Sequence, residues 1–174
     1  MTGCPQLVGT SLPGRDSWAL EEFMDTVISA DPRARVEVTR YRGVFVAYLA
    51  RDPAEVAAKF LAYTHAFLAR VYPVLVCAPK ERLSDLLSGI ASLVREDQAK
   101  LEVRLREPIS RSVSEDDVKR LITSAGVRPG RSGSHLIIES LYDYFVASYG
   151  TAHACGPKCR VIVPTRLGGR QATK

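Results

Sequence analysis

The sequence predicts a mixed α/β (α+β) fold made of two consecutive units, and three observations carry that expectation. Short apolar runs alternate with longer stretches whose apolar residues recur at helical spacing. Hydrophobic residues fill 46% of the 174 positions and charged residues 25%, so there is enough apolar side chain to order a core. Pro, Gly and Asp punctuate the boundaries between the runs.

In chain order, residues 6–10 (QLVGT) read as a buried strand, and Pro13-Gly14 as a turn. Asp16 is the expected N-cap of a helix over 17–29, with Trp18, Phe23, Val27 and Ile28 as its apolar stripe. Asp31-Pro32 ends it. Residues 35–40 and 44–49 form a hairpin through Tyr41-Arg42-Gly43. Asp52-Pro53 opens a helix expected to reach Arg70, and 71–77 (VYPVLVC) is the fourth strand. This strand-helix-strand-strand-helix-strand order is that of a ferredoxin-like unit.

The second unit starts with a helix over 82–95, buried through Leu83, Leu86, Leu87, Ile90 and Val94. Residues 100–106 (KLEVRLR) alternate: Leu101, Val103 and Leu105 face inward, and Lys100, Glu102, Arg104 and Arg106 face outward. Ser114 followed by Glu115, Asp116 and Asp117 marks a helix start that ends near Gly126. A basic loop, GVRPGRSG, leads to strands at 135–140 and 144–149, and 161–163 adds a short run. The expected division is a ferredoxin-like unit over 1–79, a second α/β unit over 80–165 and a flexible basic tail over 166–174.

Charge is unevenly placed. Residues 1–97 carry 11 basic and 12 acidic side chains, whereas 98–174 carry 13 basic and 7 acidic. The whole surplus of the +5 net charge thus lies in residues 98–174, as expected of a surface that meets a polyanion. Eighteen of the 24 basic residues are arginine and asparagine is absent, a bias that fits a heat-adapted protein, although a GC-rich genome also favours arginine. No apolar run is long enough to span a membrane, and the N-terminus lacks a signal-peptide pattern, so a cytoplasmic location is expected. The four cysteines, Cys4, Cys77, Cys155 and Cys159, are read as free thiols by default, with Cys4–Cys77 and Cys155–Cys159 as the alternative pairings. His153, Cys155 and Cys159 lack the usual zinc spacing, and no metal or other cofactor is expected. Phosphate-loop, dinucleotide-binding, zinc-protease and nucleophile-elbow signatures are all missing, so the chain is expected not to be an enzyme.

The ferredoxin-like unit, the following helix, LEVRLRE, the loop ISRSVSEDDVKRLI and the closing strands HLIIESLYDYFVASY together resemble the THUMP family over residues 5–150. The resemblance implies a THUMP-type second unit and tRNA as the partner, held near its acceptor stem and 3′ end. A chain of this length most resembles the stand-alone adaptor for tRNA cytidine acetylation, which implies a separate modifying enzyme, an acetyltransferase, as second partner. Neither a membrane nor DNA is expected to bind.

The candidate RNA-binding residues are Arg104 and Arg106 on the outer face of the alternating strand, and Ser110 and Arg111 before a helix start. Lys119 and Arg120 on that helix, and Arg128 and Arg131 in the glycine loop, complete the set. A protein–protein scaffold and a ligand-sensing ferredoxin-like regulator are the competing readings. Salt dependence separates RNA binding from an apolar interface.

Overall fold

The computed structural model describes residues 3–94, 98–131 and 133–164; the expected basic tail over 166–174 lies outside the described residues. The first half runs β1 (Leu7–Ser11), α1 (Asp16–Ala30), β2 (Arg35–Val38), β3 (Val44–Tyr48), α2 (Pro53–Lys59) and β4 (Leu68–Pro73). Its strands lie in the antiparallel order β2-β3-β1-β4, the ferredoxin-like arrangement the element order implies. Gly43 closes the β2–β3 hairpin with φ +69°, a conformation that L side chains rarely adopt.

Three local expectations are corrected here. Asp16 does not cap α1; Arg15 holds the cap position without a side-chain bond. The Asp16 carboxylate accepts instead from Ser11 Oγ at 2.6 Å and pairs with Arg42 Nε at 3.1 Å. Those two partners hold it below the usual carboxylate range, the serine hydroxyl contributing most. The buried face of α1 is Ala19, Phe23, Thr26, Val27 and Ala30, while Trp18 is half exposed and stacks on Phe67 at 5.0 Å.

Asp52 caps α2 as expected, accepting from Ala54 and Glu55 N–H with Pro53 in the first turn. The helix nevertheless stops at Lys59, followed by one 3-10 turn over Phe60–Ala62. Distant partners remove the next residues from the helix. The Glu22 carboxylate accepts from the backbone N–H groups of Ala66, Phe67 and Leu68, and His65 N–H donates to Cys155 O at 2.8 Å. Four backbone donors are thereby satisfied outside any helix.

The expected strand over 71–77 is two strands. β4 ends at Pro73, and β5 (Val76–Pro79) leaves the first ladder to pair with Tyr144–Ala147. Then come α3 (Leu83–Leu93), β6 (Gln98–Arg104), a 3-10 turn over Ile109–Arg111, α4 (Glu115–Ser124) and β7 (Arg128–Pro129). β8 (His135–Leu141), β9 (Tyr144–Ala154) and β10 (Arg160–Val163) complete the described elements. Ser114 caps α4 in a reciprocal capping box with Asp117.

One sheet contains both halves, in the order β2-β3-β1-β4-β10-β9-β8-β6-β7. The join is β10, parallel to β4 on one side and antiparallel to β9 on the other. Two cores lie under helices. Phe23, Phe45, Phe60 and Val71 fill the first, and Leu86, Ile90, Ile122, Leu136 and Phe145 fill the second. A third core occupies the opposite face, where Val8, Val46 and Tyr72 from the first half cluster with Ile137, Val146 and Ile162 from the second.

The free-thiol expectation is overturned. Cys4 is bonded to Cys77 and Cys155 to Cys159, and no described cysteine is free.

Candidate nucleic-acid interface

The third core is continued by charged residues. Arg70 on β4 donates from Nη1 to Glu102 Oε2 of β6 at 2.7 Å and from Nη2 to Glu139 Oε1 of β8. Arg106 donates from Nη1 to Glu139 Oε2 at 2.7 Å, and Arg160 Nη2 lies 3.7 Å from Glu102 Oε1. In a flat sheet β4 and β6, four ladder steps apart, would be separated by roughly 19 Å, beyond the reach of an arginine. The sheet is therefore strongly curled, its two halves closing over a shared inner face.

These groups are deep. The Glu139 side chain is 0% exposed and that of Arg70 5%. Burial pushes the Glu102 carboxyl upward, but Arg70, Arg160 and His135 outweigh it and hold the group below its ordinary range. Burial pushes His135 down despite the neighbouring Glu102, which keeps the ring neutral at pH 7. Burial raises the Tyr72 hydroxyl well above the usual phenol range, so it stays protonated.

The network opens into a cleft of about 350 Å³ where the end of β1 meets the starts of β3, β4 and β10 and the end of β6. Five arginines line it, Arg42, Arg70, Arg104, Arg106 and Arg160, with Thr10 and Ser11 beside them. Arg70 and Arg106 form the floor, with side chains 5% and 18% exposed; Arg42 and Arg160 form the rim at 83% and 46%. Arg104 is exposed and its guanidinium makes no ion pair among the described residues.

A second, larger and more open hollow of about 590 Å³ lies beside it. Arg40, Tyr41, Glu107, Pro108 and Arg111 line it. Tyr41 and Tyr142 stack at 5.6 Å, and the Arg40 guanidinium lies over both rings. Tyr41 OH donates to Glu107 O at 2.6 Å, which ties the β2–β3 turn to the segment after β6.

The structure brings Arg104 and Arg106 together in the cleft. Arg111 is at the neighbouring hollow, paired with Glu107 at 2.7 Å, and Ser110 is exposed beside it. The remaining candidates stand elsewhere. Lys119 faces Asp116 at 3.8 Å, and Arg120 pairs with Asp117 on α4, whose buried Val118 and Ile122 pack in the second core. Arg128 pairs with the opposite end of β6 through β7, and Arg131 follows it, both exposed. The start of α4 is occupied by its own capping box and three acids, and Leu105 N–H donates to Glu115 at 3.1 Å. Arg42, Arg70 and Arg160 are cleft residues that sequence reasoning missed. The available signal was a charge inside an apolar strand, Arg70 in LARVYP and Glu139 in HLIIESL.

Among the described residues, no three His, Cys, Asp or Glu side chains gather as metal ligands, and no helix is long and apolar enough to cross a membrane.

No family model and no curated protein matches the chain. Solved structures do. TrmN from Thermus thermophilus matches with TM-score 0.52 and 15% identity, over 84% of this chain and 45% of that one. A protein described as a predicted N6-adenine-specific DNA methylase from Listeria monocytogenes matches with TM-score 0.53 and 15% identity, over 86% and 41%. SMU.472, described as a putative methyltransferase complexed with SAH, matches with TM-score 0.50 and 14% identity, over 88% and 43%. The chain thus spans less than half the length of each of these structures. The expectation that it is not an enzyme is corrected on this finding, because its fold is shared with parts of methylases, one of them holding SAH. At these identities the likeness is one of architecture: the chain has a mixed α/β, THUMP-like fold.

Proposed function

We propose that this chain holds structured RNA, tRNA foremost, for a base-modification reaction. The observation that supports the reading best is the arginine-lined cleft on a THUMP-like sheet. Arginine presents a planar fork to phosphate oxygens, and backbone contacts of this kind fix register on an A-form helix without reading sequence. Arg104 and Arg106 at the cleft and Arg111 at the adjoining hollow, with Ser110 next to it in the chain, are the inner proposed contacts. Lys119, Arg120, Arg128 and Arg131 are proposed as outer contacts along the longer path of a duplex.

The methylases that share the fold favour methyl transfer as the reaction served. The narrower reading, presentation of tRNA to a cytidine acetyltransferase, rests on the family resemblance alone. The test is equilibrium binding of tRNA across a salt series, with intact tRNA and tRNA lacking its 3′ single-stranded end. Log affinity should fall linearly with log salt, and truncation should weaken binding. Affinity indifferent to salt would remove the RNA reading and favour an apolar scaffold.

A further inference from the structure

The first half of the chain ends in an open sheet edge. Among the described residues β2 pairs with β3 alone and stands at the end of the strand order. Thr39 N–H donates to Val44 O at 3.1 Å, so by alternation Glu37 and Arg35 turn their main-chain groups toward β3, while Val36 and Val38 turn theirs outward. The edge offers a short row of main-chain donors and acceptors to a further strand.

The surroundings of this edge are apolar on one face and charged on the other. Val36 and Val38 share the helix-bearing face with Ala47 and Phe45, their partners on β3; Val36 packs on the first core and Val38 is 61% exposed. Helix α1 touches both β2 and β4, and its Glu22 reaches the N–H groups of Ala66, Phe67 and Leu68 on the β4 side. Met24 comes two residues later, about 200° round the helix, and so faces the β2 side. Ile28 is one turn beyond it, and both are exposed. Arg35 and Glu37 occupy the opposite face, 3.1 Å apart, with the Arg35 guanidinium over the Tyr48 ring.

Charge on an edge strand ordinarily guards it against pairing. Here the two charges are of opposite sign and flank Val36, a pattern that complements itself about a two-fold axis. In an antiparallel pairing with Val36 opposite Val36 of a second copy, Arg35 of each copy stands opposite Glu37 of the other, and Val38 stands opposite Ala34. The outward N–H and C=O of the two Val36 residues then bond reciprocally, and the charged residues form the closer, non-hydrogen-bonded pairs. Sliding the strands to set Val36 on Val38 would put Glu37 on Glu37. Isologous contacts need such self-complementarity, which a strand of unrelated sequence has no reason to match.

We propose that two copies of this chain join edge to edge through β2, antiparallel about Val36, with Met24, Ile28 and Val38 of both copies forming the apolar flank of the junction. The assignment goes beyond the RNA-holding reading and does not depend on it.

The experiment is sedimentation velocity of the full chain without RNA, over a concentration series. Wild type should sediment as a dimer that dissociates on dilution. Arg35→Glu and Glu37→Arg should each raise the dissociation constant by about ten-fold or more, because each sets like charges opposite one another and the two-fold axis repeats the change. A mixture of these two variants should regain the dimer, since each presents the charges the other lacks. Val38→Pro removes one outward N–H without touching the β3 ladder, and should weaken the dimer while circular dichroism and thermal melting match wild type. Wild type that stays monomeric to its highest soluble concentration would overturn the proposal and leave the edge to a strand of another protein. A dimer indifferent to all three variants would overturn it by placing the contact on another face. Failure of the mixed variants to associate, with each folded by circular dichroism, would overturn the register about Val36.

Discussion

Glu139→Gln tests whether the buried ion network holds the two halves together. The carboxylate is fully buried and is shared by two guanidiniums, Arg70 at 5% exposure and Arg106 at 18%. The substitution preserves volume but removes the charge, and the new amide N–H faces a donor on one side. Arg70 keeps Glu102, so its charge is only partly orphaned. Breaking a buried pair outright costs about 3–5 kcal/mol, and the surviving partner places this variant near the lower figure, about 3 kcal/mol. For a domain of this size that lowers Tm by roughly 6–12 °C. Urea denaturation followed by circular dichroism under non-reducing conditions measures it, with Arg82→Ala as control. Arg82 pairs with Asp85 at the surface, with side chains 66% and 43% exposed, and its loss should leave the midpoint unchanged. Adding Arg70→Met to the Glu139→Gln background should cost less than adding it to wild type, the mark of a direct coupling. A Glu139→Gln midpoint within error of wild type would refute the idea that this carboxylate clamps the curl of the sheet.

Other outcomes follow from the same geometry. Buried His65 is pushed below the ordinary imidazole range by desolvation, its ring donating to Phe60 O, and burial lowers His135 likewise. A histidine lowered on folding contributes stability above its unfolded value near 6.5, which is lost as pH falls from there through the folded value. Stability should therefore decline below about pH 6.5, and His65→Gln should flatten part of that slope in pH-dependent urea titrations. Asp31 adds a second decline from the unfolded carboxylate value downward: burial raises it, but N–H groups of Arg51, Ala50 and Arg33 prevail and hold it low. Opening Cys4–Cys77, which closes 73 residues, should cost about 4 kcal/mol by loop entropy, and opening Cys155–Cys159, which closes 4, about 2 kcal/mol; paired Cys→Ser variants in urea that reverse this order would contradict it. Gly156→Ala should destabilise by about 2 kcal/mol or more, because its Cβ would meet the backbone oxygen of His65; an unchanged melting temperature would argue against that close packing.

Local chemistry made much of the fold legible. The alternation in LEVRLR gave the inner face of β6, with Val103 in the second core and Arg104 exposed. Ser114 and the acids after it marked the start of α4, because a cap and its partner lie three residues apart. Features decided at long range were not legible. Helix α2 ends where it does because of Glu22, some 44 residues earlier, and Cys155, 90 residues later. The split between β4 and β5 depends on β9, which offers β5 an edge along Tyr144–Ala147. The site divides in the same way. The exposure of Arg104 on an alternating strand can be read from spacing, whereas Arg106, expected to face outward, lies in the cleft floor on Glu139, and Arg70 and Glu139 make sense only as each other's partners.

The parallel pairing of β10 with β4 bears on the order in which the protein is made. Arg70 meets Arg160 in that ladder, so one edge of β4 stays without its neighbour until about 90 further residues have been added. At ribosomal rates of about 5–20 residues per second, the wait is roughly 5–20 s. Throughout it Val71 and Tyr72, both fully buried in the finished protein, sit on a strand with a bare flank. The nascent chain thus passes through an adhesive interval that ends only when Arg160–Val163 arrives, and chaperone demand should be greatest there.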